Sequence, residues 1–252
     1  MSLFLKEQSF MGNGDFLVKP YDDTDGYRKI GNCGEMKLAH TEDEKFVLDY
    51  TNSAGGKANS KTIITGVALS LSMYDRTASN IAMGSKGTAA AIASGAAVSE
   101  VHKGWHAEDR RIVLDHLSPT SIVVKDVTDV TTYVLDTDYT VSSVGLITIL
   151  STGSIGDGDT LHISYSYGAY NNVEALINSG IEYTCKFYGM NSAQSDTPVV
   201  ITAHRVKFGA SDEMSMISED FVPLDITGEV LVDDTKVGGS LSKYYVVQQV
   251  EA

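Results

Sequence analysis

The stretch "TIITGVALSLSMYDRTASNIAMGSKG", residues 62–87, decides how the chain is read. Its first half alternates: Ile63, Val67, Leu69, Leu71 and Met73 point one way, and Gly66, Ala68, Ser70 and Ser72 the other. Successive side chains of a strand face opposite sides, so this period of two makes one buried and one open face. The open face is small and polar, where a surface strand more often carries Lys, Glu or Thr. At Asp75 the pattern changes. Asp75, Thr77 or Ser79 can cap a helix and Gly84 or Gly87 can end it, so the best helix of the chain is expected within 75–97. The Ala-rich remainder of that span reads as a second helix or a linker.

Upstream, "DYTNSAGGKANSKT" (49–62) holds small and polar residues between two strand-like runs. A tight hairpin needs only about two to five connecting residues, so a loop this long is expected to have a task. Before it, "GEMKLAHTEDEKFVLDY" (34–50) reads as a hairpin turning at "TEDE", and residues 1–30 as an arm with one short strand. Downstream, residues 107–168 carry short strand-like runs such as "TSIVVKDV", "LITIL" and "LHISYSYG", split by turn residues. That spacing suggests a small sandwich-like module. It holds nine Asp and Glu against three Lys and Arg, so it is a solvated acidic body. Strands are expected again in "IEYTCKFYGMN" (181–191), "PVVITAHRVKFG" (198–209) and "FVPLDITGEVLVDD" (221–234). A short helix is expected in "SDEMSMISED" (211–220), and the chain closes on "SKYYVVQQV" (242–250) as a strand or arm.

With 252 residues, 42% hydrophobic and 21% charged, this is globular material tilted toward β structure by its Tyr, Val, Ile and Thr. The formal charge of −14 argues against a surface built to grip nucleic-acid phosphates, because such surfaces are basic. Cys33 and Cys185 make no disulfide framework and read as small buried residues. No run approaches the ~20 apolar residues of a membrane helix, and the start lacks the pattern of a secretion signal.

His102 and His106 stand four apart, but Gly104 lies between them and no Glu follows the first His, so a domain junction is the better reading than a metal pair. "DTD" (136–138) and "GDGDT" (156–160) lack the ligand spacing of a calcium loop and read as turns. No phosphate-binding, serine-nucleophile or zinc-hydrolase motif is present. The expectation is therefore no enzyme, no cofactor and no metal.

The order of segments carries a resemblance. "IGNCGEMKLAH", the polar loop, "GVALSLSMYDRTASNIAMGSKG" and "YTCKFYGMNSAQSDTPVVITAHRVKF" together resemble the major tail tube proteins of tailed bacteriophages. The strand running into the helix motif (Asn80, Ile81, Ala82, Gly84) and the Phe187, Gly189, Asn191 stretch are its most telling parts. The resemblance implies a mainly β fold: a β-sandwich or partly closed barrel with a flanking helix, spanning 1–104 and 170–252, with an acidic β module inserted at 105–169 on the outer surface. It implies rings, six copies in each, stacked into a tube through which DNA passes without specific binding. Partners would be the chain itself and the tape measure, tail tip or distal tail, and tail terminator proteins, in a virion tail assembled in a bacterial cytoplasm, with no membrane. Within that reading Gly66, Ala68, Ser70 and Ser72 would face the lumen, and the loop residues Asn52, Ser53, Gly55, Gly56, Lys57 and Asn59 would reach the neighbouring ring. The arms at about 2–20 and 241–252 would make further ring contacts, and an outer module would favour a long non-contractile tail. Two rivals stand beside it: a phage-associated adhesin or carbohydrate-binding β module, and a hydrolase using a carboxylate pair.

Overall fold

The structure, a computed structural model, describes residues 9–51, 53, 55–106 and 110–250. The chain is mainly β, with one α-helix among the described residues, in two compact units: Met1–Ala89 with Val173–Ala252, and Ala90–Asn172. The second unit starts earlier than the expected 105 because the Ala-rich stretch is neither helix nor linker. It forms strands β5 (Thr88–Ile92) and β6 (Gly95–Lys103). The helix α1 ends after seven residues, Ala78–Gly84, with Thr77 as its N-cap. Alanine's helix propensity is a weak preference that strand pairing overrides.

In the first unit the strands are β1 (Gly12–Pro20), β2 (Arg28–Lys29), β3 (Cys33–Leu48) and β4 (Lys57–Met73), and later β12 (Tyr183–Asn191), β13 (Thr197–Phe208), β14 (Leu224–Val230) and β15 (Tyr245–Gln249). They make one antiparallel sheet in the order β2-β1-β12-β13-β14-β4-β3, with β15 also paired to β13. The sheet does not close into a barrel. Its core is legible in the pattern of β4: Val67, Leu69, Leu71 and Met73 are buried, and Leu224, Ile226 and Val230 of β14 join them. Burying each such side chain contributes about 1.5–3 kcal/mol. Cys185 is fully buried among these residues and Cys33 half-buried at their edge.

Three expectations are corrected here. Residues 34–48 do not turn at "TEDE"; they run on as part of the 16-residue β3, because "TEDE" itself has none of the Gly, Asn or Pro residues that favour a tight turn. The "arm" at 2–20 is a sheet strand over Gly12–Pro20, with Phe16 and Val18 buried. The closing segment, expected as a strand or arm, is a strand over Tyr245–Gln249 paired with β13. Residues 211–220 form an irregular loop rather than a helix, in a segment running from Gly209 to Pro223.

The second unit contains β7 (Pro119–Asp126), β8 (Tyr139–Val141), β9 (Ile147–Ile149) and β10 (Thr160–Tyr167). β6, β10 and β7 form a three-stranded sheet and β8 pairs β9, around a core of Val124, Tyr139, Ile147, Leu161 and Ile163. β5 and β11 (Tyr170–Glu174) pair where the chain enters and leaves this unit. The Asp clusters are turns: buried Asp138 accepts from the N–H groups of Val134 and Ser154 at 2.7 Å each, and Asp159 from that of Gly156 at 2.7 Å.

Candidate assembly surfaces

β3 and β4 pair along nearly their whole lengths, from Cys33 opposite Met73 to Leu48 opposite Lys57. β14 covers β4 only over Ala68–Met73. Beyond that point the hairpin leaves the sheet as a two-stranded ribbon. The connection at its end is residues 49–56, shorter than the sequence suggested, because Lys57 and Asn59 belong to β4. Ser53, Gly55 and Gly56 lie in the connection; Asn52 lies outside the described residues. The turn is organised by Asp49, whose N–H donates to Gly56 O at 2.8 Å and whose carboxylate accepts from the Thr51 hydroxyl at 2.6 Å and N–H at 2.8 Å. Those bonds hold the Asp49 carboxyl below its ordinary pKa. Gly55 at φ 69° and Gly56 at φ 143° take up backbone conformations that L side chains rarely adopt.

A β-bulge at Thr65 separates ribbon from sheet: Gly66 opposes Thr41, but the next pair is Ile64 with Glu42. The extra residue inverts the side-chain phase of β4. Ile63, expected on the buried face with Val67, is therefore on the other side and 43% exposed. The ribbon is apolar on both faces: Phe46, Val47, Leu48, Ile63 and Ile64 are all exposed, and Tyr50 at its end is 85% exposed. Lys57 bonds Glu44 and lies over the Phe46 ring at 4.8 Å, and the bond lowers the Glu44 pKa. Among the described residues, β3 pairs only with β4, so its outer edge offers unpaired N–H and C=O groups. None of these apolar ribbon residues was singled out as a contact from the sequence. The signal was there, in "KFVL" and "TII" on either side of the polar loop.

Gly66, Ala68, Ser70 and Ser72 do share one open face of the sheet, each half-buried. Ser70 Oγ lies 3.1 Å from Thr227 Oγ1 of β14 on that face. Register adds Asp225 and Glu229 from β14 and Glu35, Lys37, Ala39 and Thr41 from β3. Glu35 holds Lys37 at 2.8 Å, so the strip carries surplus negative charge.

The helix motif is structural. Asn80 is fully buried, and its amide nitrogen donates to Ile30 O and Asp75 O, both at 2.7 Å. Its carbonyl accepts from Arg28 Nη1 at 2.7 Å, so every amide valence but one lone pair is used. Desolvation lowers the Arg28 pKa. Ala82 is buried, Ile81 is half-buried, and a side chain on Gly84 would start 2.8 Å from Leu224 Cδ2. The motif ties the chain between β2 and β3 to the end of β4.

The two histidines weighed as a metal pair are engaged separately: His102 Nε2 with Glu100 at 2.5 Å, His106 Nε2 with Ile155 O at 2.5 Å. Glu108 and Asp109 lie outside the described residues. Glu100 also accepts from the Tyr165 hydroxyl at 2.5 Å and the Asp115 N–H at 3.1 Å. Burial pushes the Glu100 carboxyl up, and these bonds outweigh it and hold it below the usual range. Burial, then the Glu100 bond, push the Tyr165 hydroxyl up. His116 stacks on Tyr167 with ring centres 3.7 Å apart and bonds Tyr170 at 3.0 Å. These groups satisfy one another.

A comparison with curated proteins finds no match. A family model described as "Protein of unknown function UCP028589" matches residues 9–248, which takes in both units and every surface above, and the chain belongs to that family.

Proposed function

We propose that the chain is a structural subunit that polymerises into stacked rings forming the tail tube of a bacteriophage, and that it is not an enzyme. The observation that carries this reading is the β3–β4 ribbon. Apolar side chains on both of its faces and an unpaired strand edge have no use in an isolated subunit, where they invite aggregation. Pairing with another copy removes both problems. The strip of Gly66, Ala68, Ser70 and Ser72 supports a channel lining, because small side chains and surplus carboxylates give sliding DNA nothing to hold. Rings of six copies, an outward position for the acidic second unit, a non-contractile tail and contacts with tape measure, tip and terminator proteins complete the proposal.

The test is negative-stain microscopy with light scattering across a concentration series, with added tail-tip complex as initiator. Rings or hollow tubes support the reading. Monomers under every condition overturn it, and glycan binding by those monomers would favour the adhesin.

A further inference from the structure

The loop from Gly209 to Pro223 packs Met214 against the core but presents three other large apolar side chains outward. Met216 is 79%, Ile217 95% and Phe221 94% exposed. Its base is fixed: Arg76 donates to Ser215 O at 2.7 Å and Val222 O at 3.2 Å, and the Ser211 N–H donates to Gly84 O at 2.7 Å. Only the segment between these ties stands free. It is acidic as well, with Asp212, Glu213, Glu219 and Asp220 and no Lys or Arg between Phe208 and Pro223. An anchored loop with three large apolar residues among carboxylates fits a surface that is basic and aromatic.

The same unit carries such a surface. In a chain of net charge −14, the outer ends of β1 and β12 bring Lys19 and Lys186 together over the Tyr27 ring, at 5.6 and 4.9 Å from its centre. Among the described residues neither lysine makes an ion pair; Lys19 donates to Asp23 O at 2.9 Å. Leu17, opposite Lys186, and the 62% exposed Tyr188, opposite Asp15, extend the same face. In its own copy, among the described residues, no hydrogen bond or ion pair joins the loop to this surface. The loop leaves from the Phe208 end of β13, whereas Lys186 opposes Thr202, six residues earlier on that strand and two strands from β14.

We infer that the 209–223 loop of one copy docks on the Tyr27–Lys19–Lys186 surface of the next. Two different patches in contact make a head-to-tail interface, which closes into a ring when the rotation between copies divides a full turn. The inference rests on the ring reading above for that closure.

The test reverses charges on each side. E219K/D220K reverses the loop and K19E/K186E reverses the surface, all at exposed or half-buried positions. Each variant is expected to melt like the wild type and to need at least about tenfold more protein to assemble, as loss of a central contact does. An equimolar mixture of the two, or all four changes in one chain, is expected to assemble to within about threefold of wild type, because opposite charges again meet. Recovery in the mixture also shows that both variants are folded. Single reversals that assemble at the wild-type concentration overturn this contact and leave the ring reading standing. So do reversals that fail and are not rescued together. A wild-type chain that stays monomeric under every condition, initiator included, overturns both.

Discussion

One strand, β4, lives in two environments. From Ala68 to Met73 it has a neighbour on each side; from Gly66 onward it buries Val67, Leu69, Leu71 and Met73 and turns a small polar face outward. From Lys57 to Ile64 it is flanked by β3 alone, and its apolar residues are exposed. Ile63 and Ile64 are as apolar as the Val, Leu and Met residues of the sheet half; what differs for them is whether the same chain supplies a covering layer. Residues such as Leu71 report on folding and, under the proposed assembly, residues such as Ile64 report on association.

The comparison breaks first at the sheet half. Leu71→Ala, in a fully packed position, is expected to cost about 2–5 kcal/mol, by transfer and cavity terms together. Asn80→Ala is expected to cost about 3 kcal/mol, because it strands the Arg28 guanidinium and the carbonyls of Ile30 and Asp75 at once. Chemical denaturation of the first unit checks both. If Leu71→Ala and Ile64→Ala proved equally costly, the distinction between the halves would fail.

Acid sharpens the contrast from the second unit, which has its own core and the single Trp, Trp105. The folded Glu100 pKa lies below the ordinary 4.5, so its contribution to stability is complete above that value and is lost as pH falls through the lower folded value. Trp105 fluorescence is expected to show this unit losing stability below pH 4.5, with a shallower dependence in Glu100→Gln. An unchanged slope would remove Glu100 from the account.

The bulge gives a third test. Deleting Thr65 restores an unbroken alternation and turns the ribbon over relative to the sheet, placing Ile63 in phase with Val67. Stability is expected to change by about 1 kcal/mol, since one bulge and no core residue is lost, while assembly is impaired. Smallest of all on stability is Ile63→Ser with Ile64→Ser: about 0.5 kcal/mol or less, as for other exposed sites.

The same contrast explains what the sequence disclosed. The buried half of β4 was legible because burial imposes a period of two, and the helix start because Thr77 caps it. The bulge was not, because Thr65 fits an alternating pattern and the slip exists only in the pairing with β3. The Ala-rich span was misread since Ala carries little strand signal, and its fate was set by pairing: a side chain on Gly87 would meet Glu174 O at 2.2 Å, a contact unforeseeable locally. The 211–220 loop was expected as a short helix from its mixture of polar and apolar residues. Of its apolar residues Met214 packs against the core, whereas Met216 and Ile217 are exposed. Among the candidate site residues, the strip at 66–72 was found on one face as read, whereas the loop was right in place and wrong in length.

The central claim is that the ribbon exists for association. The measurement is sedimentation velocity and negative-stain microscopy of the wild type and the Ile63→Ser/Ile64→Ser variant side by side, with thermal melts of each. The account predicts rings or tubes from the wild type and folded, unassembled subunits with an unchanged melt from the variant. Assembly of the variant at the wild-type concentration would contradict it.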